Sequence, residues 1–206
     1  MSETASVEPI GKRERTKLAN RQAILMAARR IFAQLGYEAA TVRDIIRGTE
    51  LASGTFYNYF RSKEEVFEAL ADDGARRFRP ILRMAREHAR SFKDYLHSAF
   101  VAYFRFIVED NESEGLPIDE RRPHVIRMDT PEMMAVYQEV RQSLEEAIAR
   151  GDAPHVDADY LACACIGIAQ EVGGAMLRRA PPAIDEAAAF ATGLILNGLA
   201  GVPRQG

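Results

Sequence analysis

Apolar residues at Ile24, Ala28, Ile31 and Leu35, with Leu25 and Phe32 beside them, recur at the helical period, and Gly36 stands where a left-handed cap stops a helix. The spacing predicts a first helix over about 17–35. Thr41-Val42-Arg43-Asp44 has the form of a capping box, with Val42, Ile45 and Ile46 as the apolar face of a short second helix ending near Gly48. Ser53 to Phe60 places Phe56 and Phe60 one turn apart, which predicts a third helix. Ser62-Lys63-Glu64-Glu65 is a second capping box ahead of Val66, Phe67 and Leu70, opening a fourth helix that should end near Pro80.

Beyond Pro80 the pattern stays helical. Phe92, Leu96, Phe100, Tyr103 and Ile107 form one stripe and Val101, Phe104 and Val108 another, so this helix is expected to be covered on both faces. Residues 110–124, with Gly115, Pro117 and Pro123, read as a loop or short-helix break. Thr130-Pro131-Glu132 starts a helix with Met134, Tyr137, Val140 and Leu144 inward, closing at Gly151. Two more helices follow, about 157–179 and 183–200. The expectation is an all-α chain of about nine helices, with no strand pattern or repeat. Small residues in the last two helices (Ala162, Gly167, Gly173, Gly174, Ala188, Gly193 and Gly198) allow close helix approach, and an apolar helix pair at a surface predicts a four-helix contact between two copies.

Composition narrows the function classes. With 206 residues and 47% hydrophobic residues the chain can bury a core, and two cysteines give no disulfide framework, which points to a reducing compartment, the cytoplasm. Residues 1–23 hold no apolar signal segment, and the run 187–202 is too short and too polar for a membrane span. Cys163 and Cys165 lie about 200 degrees apart on a helix and cannot share a metal; Asp94 and His97 supply a single carboxylate–histidine pair where a di-iron bundle needs two. No nucleophile, acid–base constellation or phosphate loop is present, so neither an enzyme nor a cofactor or metal is expected. The net charge of −3 conceals an asymmetry: residues 9–63 carry eleven Lys/Arg against four Asp/Glu, a net +7, while residues 64–206 carry −8. A basic end on an acidic body suits a polyanion partner at that end only.

Three short helices inside the basic segment have the layout of a helix-turn-helix DNA reader. Ser53, Thr55 and Asn58 are short enough to meet base edges, Gly54 permits close backbone approach, and Tyr57 and Tyr59 can place hydroxyls on phosphates. The starts of the second and fourth helices, at Thr41 and at Ser62-Lys63, offer amides to the phosphate backbone, with Lys63 adding a charge. Arg43 can reach phosphate or a purine edge, and Lys12, Arg13, Arg15 and Lys17 form a flexible arm suited to a groove. The blocks Phe32 to Tyr37, Thr41 to Ile45 and Gly54 to Glu64 resemble the DNA-binding domain of the tetracycline-repressor (TetR) family over about residues 17–70. That resemblance implies a homodimeric, ligand-responsive regulator, usually a repressor. It assigns recognition contacts to Ser53, Gly54, Thr55, Tyr57, Asn58 and Tyr59 and phosphate contacts to Thr41 and Lys63. Many members have Gly in the turn and Ser or Thr at the third helix's cap, where this chain has Glu50 and Ala52; Ser53 could cap one residue later.

The expected organisation is a basic arm (1–16), a helix-turn-helix domain (17–63) and a ligand-binding and dimerisation domain (64–206). Tyr95, His97, Phe100, Tyr103, Phe104, Met128, Met133, Met134 and Tyr137 can either pack as core or line an apolar cavity. Phe100, Tyr103, Phe104, Met134 and Tyr137 are the candidates for ligand contact. Glu171, in an apolar stretch, would need a partner if buried, either a ligand or a salt bridge to Arg178 or a neighbouring helix. The expected function is a regulator, most simply a repressor, that binds a pseudo-palindromic operator as a dimer and is released by a small apolar effector. The alternatives are a helical ligand-binding or catalytic protein with an incidental basic segment, and an activator using the same reader.

Overall fold

The computed structural model describes residues 11–112 and 130–202. Among these it is all α-helical, with eight α-helices: α1 (Lys12–Leu35), α2 (Val42–Arg47), α3 (Ser53–Tyr57), α4 (Lys63–His88), α5 (Phe92–Glu112), α6 (Pro131–Ala149), α7 (Ala158–Leu177) and α8 (Ile184–Gly198), then a 3-10 turn over Leu199–Gly201. Most of the stretch expected to break the helices, and Met128 with it, lies outside the described residues, as do residues 1–10 of the expected arm.

Two boundaries differ from the sequence expectation. The first helix starts at Lys12 rather than near 17, so Lys12, Arg13, Arg15 and Lys17 ride on helix and not on a flexible arm. Nothing between Gly11 and Leu35 breaks a helix, and Lys, Arg, Glu, Leu and Ala are all good helix formers. The fourth helix passes through Pro80 and ends at His88. An interior proline costs about 3 kcal/mol, and packing on both sides offsets it. Phe78 and Leu82 are buried, and beyond the proline Arg83 pairs with Glu139 at 2.9 Å and Arg86 with Glu146. Arg76 and Arg79 both reach Glu132, so a ladder of charges fastens α4 to α6 along its length. The two arginines beside Glu139 hold its carboxyl below the usual range, the hydrogen bond from Arg83 contributing most.

The apolar side chains divide into an amino-terminal core and the rest. Ile24, Leu25, Ala28 and Phe32 of α1, Ile45 of α2, Phe56, Phe60, and Val66 and Ala69 of α4 form the first cluster. Phe92 to Phe104 of α5, Leu144 of α6, Leu161 and Met176 of α7, and Ala188 and Ile195 of α8 form the second, with Phe78, Leu82, Met133 and Val136 as a smaller group between α4 and α6. Helix α4 starts at Lys63 and contributes side chains to both the amino-terminal cluster and the group it shares with α6. Gly173 lets α7 lie close on α5: a Cβ there would come within 2.9 Å of Ile107 Cδ1 and 3.3 Å of the Phe104 ring.

By length and composition alone, α7 is apolar enough to cross a membrane. Its apolar side Leu161, Ala162, Cys165, Met176 and Leu177 is buried against the neighbouring helices, as in the core helix of a packed bundle. On its other side Tyr160 is 78% exposed near Ala164 and Gly167, and on α8 Phe190 and Leu194 are 62% and 49% exposed beside Ala189 and Gly193.

Candidate nucleic-acid interface and effector cavity

Local chemistry sets the short helices α2 and α3 and the start of α4. Thr41 and Asp44 form the reciprocal box: the Thr41 hydroxyl accepts from the Asp44 amide at 3.3 Å and Asp44 Oδ2 accepts from the Thr41 amide at 3.1 Å. The hydrogen bond from the Thr41 hydroxyl holds the Asp44 carboxyl below its ordinary range. Helix α3 starts at Ser53 behind Ala52, with no side-chain cap, so Ser53 does not take over the missing role. Its single turn and a half is held instead from below, where Phe56 and Phe60 are buried and their rings lie 6.1 Å apart. At the start of α4 the Ser62 hydroxyl accepts from the Glu65 amide, but Glu65 reaches back to the amide of Arg61 rather than that of Ser62.

With Phe56 turned inward, the outer side of α3 carries Ser53, Gly54, Tyr57 and Asn58, all exposed, with Thr55 and Tyr59 half-buried beside them. A Cβ added at Gly54 would meet nothing within 4 Å, so packing within the chain gives no reason for glycine there. Thr41 and Arg43 are exposed on the same unit. The Tyr57 ring leans edge-on against Phe56 at 5.4 Å and leaves its hydroxyl outward, the residue being 59% exposed.

Lys63 is differently placed from its expected role on phosphate. Its ammonium donates to the carbonyls of Tyr37 at 2.8 Å, Glu38 at 3.1 Å and Ala40 at 3.1 Å, and lies 4.6 Å from the Tyr37 ring centre. All three donors are used to tie down the turn after α1, which the Tyr37 hydroxyl also fastens by donating to Glu64 at 3.2 Å. Burial first, then the Glu64 charge, pushes the Tyr37 hydroxyl up to about 12. Lys63→Ala is therefore expected to lower stability by about 2 kcal/mol, since bonds to a charged donor are lost while the carbonyls stay within reach of water. Urea denaturation measures this, and the salt dependence of DNA binding should not change.

A cavity of about 360 Å³ lies between α4, α5, α6 and α7 and reaches Arg29, Phe32 and Ala33 of α1. Its walls are mostly apolar, from Phe67, Leu70 and Phe78 on α4 to Val136 and Val140 on α6 and Ile166 on α7. Two of the six candidate ligand contacts, Phe100 and Tyr103, line it. The other four do not. Phe104 is fully buried in the second core, Met134 is exposed while its neighbour Met133 takes the lining position, Tyr137 donates to Asp159 at 2.6 Å on the surface, and Glu171 is exposed. Sequence reasoning missed Phe78 and Phe106, whose rings lie 5.5 Å apart on α4 and α5, and the contribution of α1. The short spacing of Phe67, Leu70, Gly74 and Phe78 along α4 was the one available signal.

At the end nearest α1, Arg29 donates to Asp110 at 3.0 Å and to Asp73 at 3.3 Å, and Arg77 donates to the same two carboxylates at 2.7 and 3.1 Å. This four-membered cluster links α1, α4 and α5. Elsewhere the chemistry is plain. The Ser91 hydroxyl accepts from the Asp94 amide and caps α5, while the Asp94 carboxylate accepts from the Arg90 amide just ahead of it. Cys165 is buried, with its thiol pushed up to about 12 by that burial, while Cys163 is exposed on the other side of α7. Among the described residues no group of three or more His, Cys, Asp or Glu is placed to hold a metal ion.

Helices α1 to α3, joined by the long helix α4 to a helical bundle with an apolar cavity, have the layout of a helix-turn-helix regulator. The family model for bacterial regulatory proteins of the tetR family matches residues 24–70. The chain is 33% identical over 130 residues to the transcriptional repressor AcnR of Corynebacterium efficiens, a match covering 63% of this chain and 62% of that one. It is 30% identical over 139 residues to the transcriptional regulator UidR of Escherichia coli K12, covering 64% and 68%. Among solved structures, a TetR-family regulator from Syntrophomonas wolfei superposes with a TM-score of 0.68 at 17% identity over 91% of this chain and 98% of that one. The fatty acid degradation regulator FadR of Bacillus halodurans does so with 0.67 at 19% over 90% and 97%. The chain belongs to the TetR family of transcription regulators, whose members act by binding DNA and not by catalysis.

Proposed function

We propose that this protein is a cytoplasmic transcriptional repressor that binds a pseudo-palindromic operator as a homodimer and lets go when a small, largely apolar molecule occupies the cavity. The outer side of α3 carries this reading. It combines a glycine with open space above it, an outward tyrosine hydroxyl and short polar side chains, on a unit whose inner side is wholly packed. Ser53, Gly54, Thr55 and Asn58 meet base edges, Arg43 meets a phosphate or a purine, and Thr41, Tyr57 and Tyr59 grip the backbone. The chain divides in function at about residue 63, with α4 passing from the reader to the effector-binding bundle. The basic side chains at 12–17 extend the positive surface along α1.

The second copy docks on the exposed apolar side of α7 and α8, where Tyr160, Phe190 and Leu194 stand among small residues. Two readers then face one side of the duplex, about one helical turn apart. Because the cavity touches Phe32 and Ala33 of α1 as well as α4, an effector inside it bears directly on the reader's first helix. It releases DNA to the extent that it binds the non-binding spacing more tightly. A repressor rather than an activator fits the names of curated relatives, the AcnR proteins of three Corynebacterium species and Rv1474c of Mycobacterium tuberculosis all being called repressors.

Selection of duplexes from a random pool by the full-length protein tests the reading, and an inverted repeat is the expected product. Against that duplex, Tyr57→Phe should weaken binding about 3- to 10-fold, one hydrogen bond's worth, with stability within about 0.5 kcal/mol of the parent. Enrichment of no sequence, or of a site without two-fold symmetry, would overturn the operator reading.

A further inference from the structure

The cavity's few polar groups say what kind of molecule it takes, an inference that rests on the effector reading above. At the α1 end, Arg29 and Asp110 face the space, but they are bound to each other and to Asp73 and Arg77, so that among the described residues two cations stand against two anions within 2.7–3.3 Å. An anion arriving there would meet Asp110 and Asp73 as well as the arginines, and a cation would meet the arginines. Either would have to shed its water without finding net opposite charge, which is costly.

Tyr103 offers something else. Its ring is fixed by Phe78 at 5.4 Å and Phe104 at 5.9 Å, and the residue lines the cavity. Its hydroxyl has no hydrogen-bond partner among the described residues, and burial alone pushes it up to about 12. A phenol at a mostly apolar cavity wall, partly buried and with no protein partner among the described residues, leaves a donor free for whatever fills the space. Gln170 on α7 also lines the space with no partner for its amide among the described residues.

We propose that the effector is an uncharged, mainly hydrocarbon molecule bearing an oxygen acceptor, such as a ketone, ester or alcohol, and that the Tyr103 hydroxyl donates the hydrogen bond that recognises it. Phe78, Phe100 and Phe106 take the hydrocarbon part, and the Arg29–Asp110 pair stays closed on the empty side, keeping charged chains out. Gln170 can serve a second polar atom.

The test uses the full-length protein and a neutral naphthylamine dye, N-phenyl-1-naphthylamine, as reporter of cavity occupancy. Displacement is measured with 2-undecanone, decanoate and decyltrimethylammonium on the parent and on Tyr103→Phe. The ketone should displace at least ten times better than either ion. Tyr103→Phe should weaken it about 2- to 10-fold while unfolding no earlier than the parent in urea. Equal displacement by an ion, displacement by none of the three, or an unchanged ketone affinity in Tyr103→Phe overturns the proposal. Failure of the dye and all three probes to bind at all instead overturns the effector-cavity reading on which it rests.

Discussion

Phe190→Glu is expected to yield a folded monomer that has lost at least about 100-fold in operator affinity. Phe190 is 62% exposed and lies outside the buried clusters, so the charge costs the single chain little. In the dimer the same carboxylate would be buried against an apolar surface, in the setting where an unpaired charge is most unfavourable. Loss of the second copy removes one half-site and with it the effective concentration that makes the second reader bind, a factor of about 10² or more. Sedimentation at micromolar concentration, circular dichroism and anisotropy on the selected duplex separate the three effects. A variant that stays dimeric and binds as the parent does would place the interface elsewhere than on α7 and α8.

Phe104→Ala is expected to cost about 3–5 kcal/mol of stability, the range for removing a large aromatic from a core. Phe104 is fully buried, its ring stacked 6.0 Å from Phe100 and pressed against the position of Gly173 on α7. No relaxation can fill the space on the Gly173 side, because that residue has no side chain to move in. The contrast with Tyr103→Phe one position earlier is the informative part: adjacent aromatics on α5, one changing the urea midpoint and the other changing ligand affinity. A Phe104→Ala protein as stable as the parent but altered in ligand binding would return Phe104 to the cavity wall.

These two residues also mark how far the sequence could be read. Both faces of α5 are apolar, so periodicity says that the helix is covered all round but not which face meets packed protein and which meets space. Only the positions of α4 and α6 decide that Tyr103 faces the cavity and Phe104 the core. The same holds for Met133 and Met134, one buried and one exposed, where a shift of a single residue separates the expected inward position from the observed one. Lys63 is a further case. Its place at the start of α4 is legible, but the three carbonyls it serves lie 23–26 residues earlier in the chain and reach it only through the packing of α1 on α4. The end of α4 is not legible locally, because the cost of the interior proline is offset only by tertiary contacts, the arginines beyond it finding glutamates on α6.

What the sequence by itself determined is whatever depends on neighbours within about one helical turn. The Thr41–Asp44 box, the inward pair Phe56 and Phe60, the glycine with no packing duty at 54 and the basic charge of the first 63 residues all follow from local spacing and composition. Tertiary structure alone decided the run of α4 through Pro80, the capture of Lys63, the four-charge cluster joining α1 to α5, and the side on which the cavity opens. Apart from the Asp73–Arg77 pair within α4, the contacts behind them join groups 23 or more residues apart. Such contacts gain free energy only once the helices have docked, and no pattern within a single helix encodes where its partner's side chains will stand.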